Sequence, residues 1–202
     1  NGVITLSTNN KLKLKTSRKV IPHGIDLEFW YNKSIKLNND SFWLILGQSN
    51  RNHKEQIKII KEILKINSRA QFIALINKKE LIKEYGKIRN VQILKNRISD
   101  WELKKMYIEC KGVILIQKFC LASNVVLETI AMSRPLIANR VGDIEDYVGE
   151  DHNFIDLDNP NEFLLEFCQS NIKRKEMMDK FSVLRENYQW NKIAQQTKCF
   201  IK

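Results

Sequence analysis

The residues best suited to chemistry lie between Ser123 and Arg140, in the run SNVVLETIAMSRPLIANR. A turn of small residues, Ser123-Asn124-Val125, opens an apolar helix that carries one carboxylate, Glu128, near its first turn. Arg134-Pro135 ends that helix, and Leu136-Ile137-Ala138 reads as a short buried strand. Exposed N–H groups at a helix start attract anions, and a carboxylate one turn further on can accept from a pair of hydroxyls. That combination suits the diphosphate and ribose of a nucleotide.

The elements needed to position these groups follow from an alternation of apolar strands and helical patterns. Phe42–Leu46 is a continuous apolar run ending at Gly47, and Ile57, Ile59, Ile60, Ile63 and Leu64 recur at helical spacing between Lys54 and Ile66. Further strands are predicted at 71–76, 91–94, 113–116, 136–138 and 153–155. Helices are predicted over 78–85, from Ser99-Asp100 to about Cys110, and over 144–148, with two or three amphipathic helices after Pro160. Fully apolar strands with short connections predict a parallel sheet covered on both faces: an α/β, Rossmann-like three-layer fold with six strands in the order 3-2-1-4-5-6. In such a sheet the segments after strands 1 and 4, Gly47–His53 and Gln117–Asn124, face one crevice.

Composition narrows the classes. The chain has 202 residues, 43% of them hydrophobic, enough to bury a core. It has no apolar run long enough to span a bilayer and no start resembling a signal peptide. Cys110, Cys120, Cys168 and Cys199 are widely spaced, which argues against a zinc ribbon or a disulfide framework and suits reduced thiols in the cytoplasm. The net charge of +11 is spread along helical segments such as Lys54, Lys58, Lys61 and Lys65 and reads first as solvated faces. Attraction to an anionic membrane surface or a lipid-linked acceptor ranks second. Nucleic acid ranks last, because the sequence has no clustered basic face with interleaved aromatics.

Several familiar sites are missing. There is no G-x-G-x-x-G after the first strand of the sheet, no P-loop, no H-E-x-x-H and no G-x-S-x-G, and His23, His53 and His152 are isolated. Cys120 has no neighbouring base and reads as a buried apolar residue. His53 reads as a loop or capping residue.

The pattern SNVVLETIAMSRPLIANRVGDIEDYV resembles the donor-binding signature of the GT-B glycosyltransferases of family 4, the group 1 glycosyl transferases. Val20–Asp26 (VIPHGID) is similar to that family's interdomain V-I-P-N-G-I-D. Gly47-Gln48 with Arg51-Asn52-His53 resembles its G-R…K-N-H loop, and Tyr188-Gln189-Trp190 its late F-S-W. The resemblance covers nearly the whole chain. It implies the C-terminal, donor-binding half of a retaining enzyme that moves a sugar from a UDP- or GDP-sugar to a glycan or lipid-linked acceptor. The acceptor would be held by an N-terminal domain lacking here. Residues 1–26 would be its last strand and the linker, 27–187 the nucleotide-sugar domain and 188–202 a C-terminal helix. No metal or other cofactor is implied.

On this resemblance Glu128 binds the ribose hydroxyls, and the N–H groups of Ser123, Asn124 and Val125 meet the diphosphate. Arg51 stands where the family has a lysine that stabilises the departing diphosphate. Gly47 and Gln48 belong to the phosphate loop, and the backbone of Arg97-Ile98 holds the base. Two departures stand out. The family's E-x7-E becomes Cys120-x7-Glu128, removing the carboxylate that contacts the donor sugar, and Gln48 replaces an arginine. A non-catalytic sugar-nucleotide-binding or partner-docking relative is the alternative these departures raise.

Overall fold

The computed structural model describes residues 2–6, 8, 17–31 and 36–201. Asn1 and Ser7, the two ends of the segment read as a strand at the start of the chain, lie outside the described residues. The middle of that segment forms β1 (Gly2–Thr5), which pairs in parallel with β2 (Ser17–Val20) as a separate two-stranded sheet. The main sheet has five parallel strands in the order β5-β4-β3-β6-β7. These are β3 (Phe42–Leu46), β4 (Gln71–Leu75), β5 (Val91–Leu94), β6 (Gly112–Leu115) and β7 (Leu136–Ala138).

That order is the 3-2-1-4-5 part of the expected arrangement; the sixth strand does not form. Asn153–Ile155 runs beside β7 and makes one ladder bond, Ile155 N–H to the Ala138 carbonyl at 2.9 Å. Asp156 then turns the chain, its Oδ1 accepting from the Asp158 N–H at 3.0 Å. The Asx turn carries the chain away from β7 after that single bond.

Helices alternate with the strands: α1 (His53–Ile66), α2 (Lys79–Tyr85), α3 (Asp100–Glu109), α4 (Asn124–Ala131) and α5 (Ile144–Val148), followed by α6 (Pro160–Gln169), α7 (Asn171–Leu184) and α8 (Trp190–Ile201). Local sequence explains their ends. Asn52 caps α1 by accepting from the Glu55 N–H. Ser99 and Glu102 form the full capping box at α3. Helix α4 stops at Ala131, ahead of Pro135, and Ser133 takes a left-handed φ of 49° to turn the chain into β7.

The core lies on both faces of the sheet. Every residue of β6 and β7 is buried, as the continuous apolar runs require of strands covered on two sides. Val126, Leu127 and Ile130 of α4 are also buried, and each such aliphatic contributes about 1.5–3 kcal/mol relative to exposure. That packing fixes α4, and therefore Glu128 on its partly open side, in the core beside α5 and α7.

Candidate functional site

Two loops at the carboxyl ends of the central strands build the site. After β3, Gly47 has φ +81°, and a Cβ there would stand 2.9 Å from Arg51 Nη2. Glycine thus lets the Arg51 guanidinium lie against the loop backbone, where its Nε donates to the Leu46 carbonyl at 3.2 Å. The loop is pinned to the end of β6. Asn52 N–H donates to the Ile116 carbonyl at 2.9 Å, Lys118 N–H to the Asn50 carbonyl at 3.0 Å, and Arg51 forms an isolated antiparallel bridge with Gln117. Burial lowers the pKa of Arg51, yet an arginine side chain stays cationic in proteins.

Gln48 turns the other way. Its Oε1 accepts from the Asn77 and Lys78 N–H groups at 3.0 and 2.9 Å, and its Nε2 donates to Asn77 Oδ1. His53 sits between the Tyr85 hydroxyl, 3.0 Å from Nδ1, and the Gln48 carbonyl, 3.3 Å from Nε2. Both ring nitrogens are engaged in holding the loop, and burial lowers the histidine's pKa. His53 is the first residue of α1, whose cap is Asn52, and not the loop or capping residue expected.

The loop after β6 is braced from beneath. The Gln117 N–H donates to Asn139 Oδ1 at 2.8 Å, and Asn139 Nδ2 returns to the Gln117 carbonyl at 3.0 Å. The Cys120 carbonyl accepts from the Asp143 N–H at 2.9 Å. Gly142, with φ +57°, passes so close that a Cβ would overlap that carbonyl. Cys120 itself is 1% exposed and burial lifts its thiol to about 11, so it is neither a thiolate nor a wall of the cleft. Phe119, Leu121 and Ala122 line the cleft instead.

The cleft so formed has a volume of about 290 Å³ and joins Arg51 to Ser123, Asn124 and Val125. Ser123 does not cap α4 with its side chain. The N–H groups of Asn124 and Val125 take no partner among the described residues, so they and Arg51 present positive charge to one space.

Glu128 lines an adjoining hollow of about 230 Å³ with His23, Asp26, Trp30 and Trp190. Asn124 borders both hollows, and its Oδ1 is 2.9 Å from His23 Nε2, tying the start of α4 to the 21–27 segment. Glu128 is the fifth residue of α4, in the second turn. It therefore lies beyond the first turn, to which the helix dipole is largely confined. Its Oε2 accepts from the Tyr107 hydroxyl at 2.9 Å. Burial raises the carboxyl to about 7, with Asp100 adding to the rise and the Tyr107 hydrogen bond opposing it. Burial, and then the charge of Glu128, push Tyr107 well above 10, so it remains a phenol and a donor.

Arg97 and Ile98 follow β5 on the same carboxyl-end side of the sheet, just before the Ser99 cap of α3. Neither lines the two hollows around Arg51 and Glu128. A larger hollow of about 540 Å³ lies beside Asp26, Glu28, Glu186 and Trp190, and its acidic lining opposes a diphosphate. Among the described residues no three His, Cys, Asp or Glu side chains gather as metal ligands, and no helix is long and apolar enough to cross a membrane.

Three residues at the site escaped the sequence reading. Tyr107 gave no signal, since its partner is 21 positions away. His23 was read only as an isolated histidine within the 20–26 segment. Gly142 lies within the 123–148 run that carries the family resemblance, and that was the available hint.

No protein-family model and no curated protein matches the chain. Solved structures do. A glycosyltransferase from Rickettsia africae superposes with a TM-score of 0.72 at 12% identity, over 98% of this chain and 62% of its own. Sucrose-phosphate synthase from Thermosynechococcus elongatus gives 0.72 at 17%, over 99% and 57%. The pneumococcal O-GlcNAc transferase GtfA, solved in complex with UDP and GlcNAc, gives 0.71 at 14%, over 99% and 44%. The chain spans roughly half the length of these structures. At such identities the likeness establishes the architecture: this chain has the Rossmann-like fold found in GT-B glycosyltransferases.

Proposed function

We propose that the chain is the nucleotide-sugar-binding half of a retaining glycosyltransferase related to family 4, taking a UDP- or GDP-sugar as donor. The observation that carries this reading is one shared space. Arg51 and the uncapped start of α4 line a single cleft, and Glu128 stands on the adjoining wall across Asn124. The diphosphate lies between Arg51 and the Asn124 and Val125 N–H groups, and the ribose diol lies on Glu128. As the sugar leaves, negative charge grows on the diphosphate, and Arg51 and the helix start are already placed to meet it. A guanidinium can do this with two parallel hydrogen bonds. The base lies toward the backbone of Arg97-Ile98. A glycan or lipid-linked acceptor is held by a second domain, and work at the cytoplasmic face of a membrane suits the charge of +11.

A second reading is favoured by Cys120. Its side chain is buried and offers the donor sugar no carboxylate. Donor binding without transfer is what that position supports, and a matched N-terminal domain tested for donor hydrolysis or transfer separates the two readings. The binding claim common to both is tested by thermal unfolding with millimolar UDP, GDP, their sugars or diphosphate. The melting temperature rises with at least one of them, and Glu128→Ala abolishes the rise for the nucleotides. No shift with any of them refutes the claim.

A further inference from the structure

Tyr107 is the one partner that the Glu128 carboxylate has among the described residues. It is fully buried in α3, and its ring packs edge-on against Trp30 at 5.8 Å between centroids. The phenol donates to Oε2; among the described residues Oε1 has no hydrogen-bond partner and is not one of the sealed orphan atoms. One oxygen of the carboxylate is thus anchored and the other left available to the hollow that Glu128 lines with Trp30. We propose that Tyr107 is a positioning residue for nucleotide recognition, its phenol fixing and polarising Glu128 so that the carboxylate selects donors carrying an intact ribose diol. This rests on the nucleotide reading above and adds a residue and a specificity to it.

Two physical effects act together. A flexible glutamate would lose rotamer freedom on binding a diol, and the Tyr107 bond removes much of that freedom beforehand. The bond also stabilises the ionised carboxylate, which is the better acceptor for two hydroxyls. It works against burial, and against the charge of Asp100 on the same helix. The other charged or titratable groups near the pair are His23 and Asp26 in the hollow, and Arg51 and Cys110, which are within electrostatic reach of the phenol.

The test compares UDP with its 2′,3′-dideoxy analogue by calorimetric titration of the wild type and of Tyr107→Phe, across pH 6 to 9. The wild type prefers UDP. Tyr107→Phe reduces that preference roughly tenfold at neutral pH, the scale of one hydrogen bond to a charged group. The preference returns as pH rises, because the unassisted carboxylate ionises later. Binding of the dideoxy analogue is unchanged. A carbon-13 titration of the Glu128 carboxyl, without nucleotide, must move upward in Tyr107→Phe. If the wild type binds only GDP, the same comparison is made with the guanine pair; if it binds neither UDP nor GDP, the nucleotide reading fails. If the wild type prefers UDP and Tyr107→Phe keeps the same preference and pH profile, the nucleotide reading stands and the role of Tyr107 is overturned. Should Tyr107→Phe not fold, 3-fluorotyrosine at position 107, the same shape with a stronger donor, must move the Glu128 titration downward. An unmoved titration overturns the proposal.

Discussion

Replacing Glu128 by glutamine should stabilise this protein, and only at high pH. Burial holds the Glu128 carboxyl at about 7 against its ordinary 4.5. The native state therefore keeps this proton to higher pH than the unfolded chain, and stability falls as pH rises through the interval between those values. The gap amounts to roughly 3 kcal/mol. That is a sizeable part of the about 5–15 kcal/mol that holds a domain together. Glutamine cannot ionise, and its amide oxygen can still accept from the Tyr107 hydroxyl now bonded to Oε2. Glu128→Gln is accordingly near neutral at about pH 5 and stabilising by up to roughly 3 kcal/mol near pH 8.5. For a chain of this size each kcal/mol moves the melting temperature by about 2–4 °C. Urea midpoints of both proteins measured from pH 5 to 9 isolate the effect, because other titrating groups cancel in the difference. A difference that stays flat across this range would refute the buried-carboxylate account. The same substitution should weaken UDP binding, so stability and affinity move in opposite directions. A carboxylate kept at such a cost is what a ligand-binding role explains and a packing role does not.

Other substitutions separate the loop from the cleft. Gly47→Ala places a Cβ against the movable guanidinium of Arg51 and puts alanine at φ +81°; it should cost about 1–2 kcal/mol of stability and reduce UDP affinity by the same factor as Arg51→Ala, both read by calorimetry. Arg51→Ala should cost about 0.5–1.5 kcal/mol of stability for the lost bond to the Leu46 carbonyl while lowering UDP affinity by about tenfold to a hundredfold, the range of a hydrogen bond to a charged group. Gly142→Ala meets unyielding backbone at Cys120 in a left-handed conformation; a loss above about 1–3 kcal/mol is expected from strain alone, seen as a drop in melting temperature with or without nucleotide.

How much of this was legible in the sequence depends on the range of each interaction. Strands β3, β4 and β6 were readable because sheets covered on both faces need unbroken apolar runs, and Phe42–Leu46 and Gly112–Leu115 supply them. The α3 start was readable because a capping box is complete within four residues. Asn153–Ile155 has the composition of a strand, yet the Asp156 turn leads the chain away from β7 after one ladder bond. At the site, Glu128 and the Asn124 helix start carried signals of type and spacing, and Arg51 was singled out by the family resemblance. The partners that give them their properties did not. Tyr107 reaches Glu128 across 21 positions, and His23 reaches Asn124 across 101. Gln48 seemed a phosphate-loop residue by its place after Gly47, whereas its side chain joins two loops by bonding Asn77 and Lys78. Side-chain direction at a turn is set by tertiary packing, which local pattern does not encode.

The most direct test of the central claim is where a nucleotide binds. Titration of the isotope-labelled protein with UDP or GDP, followed by backbone amide shifts, should give saturable changes concentrated at Arg51, Asn124, Val125 and Glu128. Residues far from the cleft, such as those around His152, should stay still. Shifts that never saturate, or that centre away from the start of α4, would contradict the account.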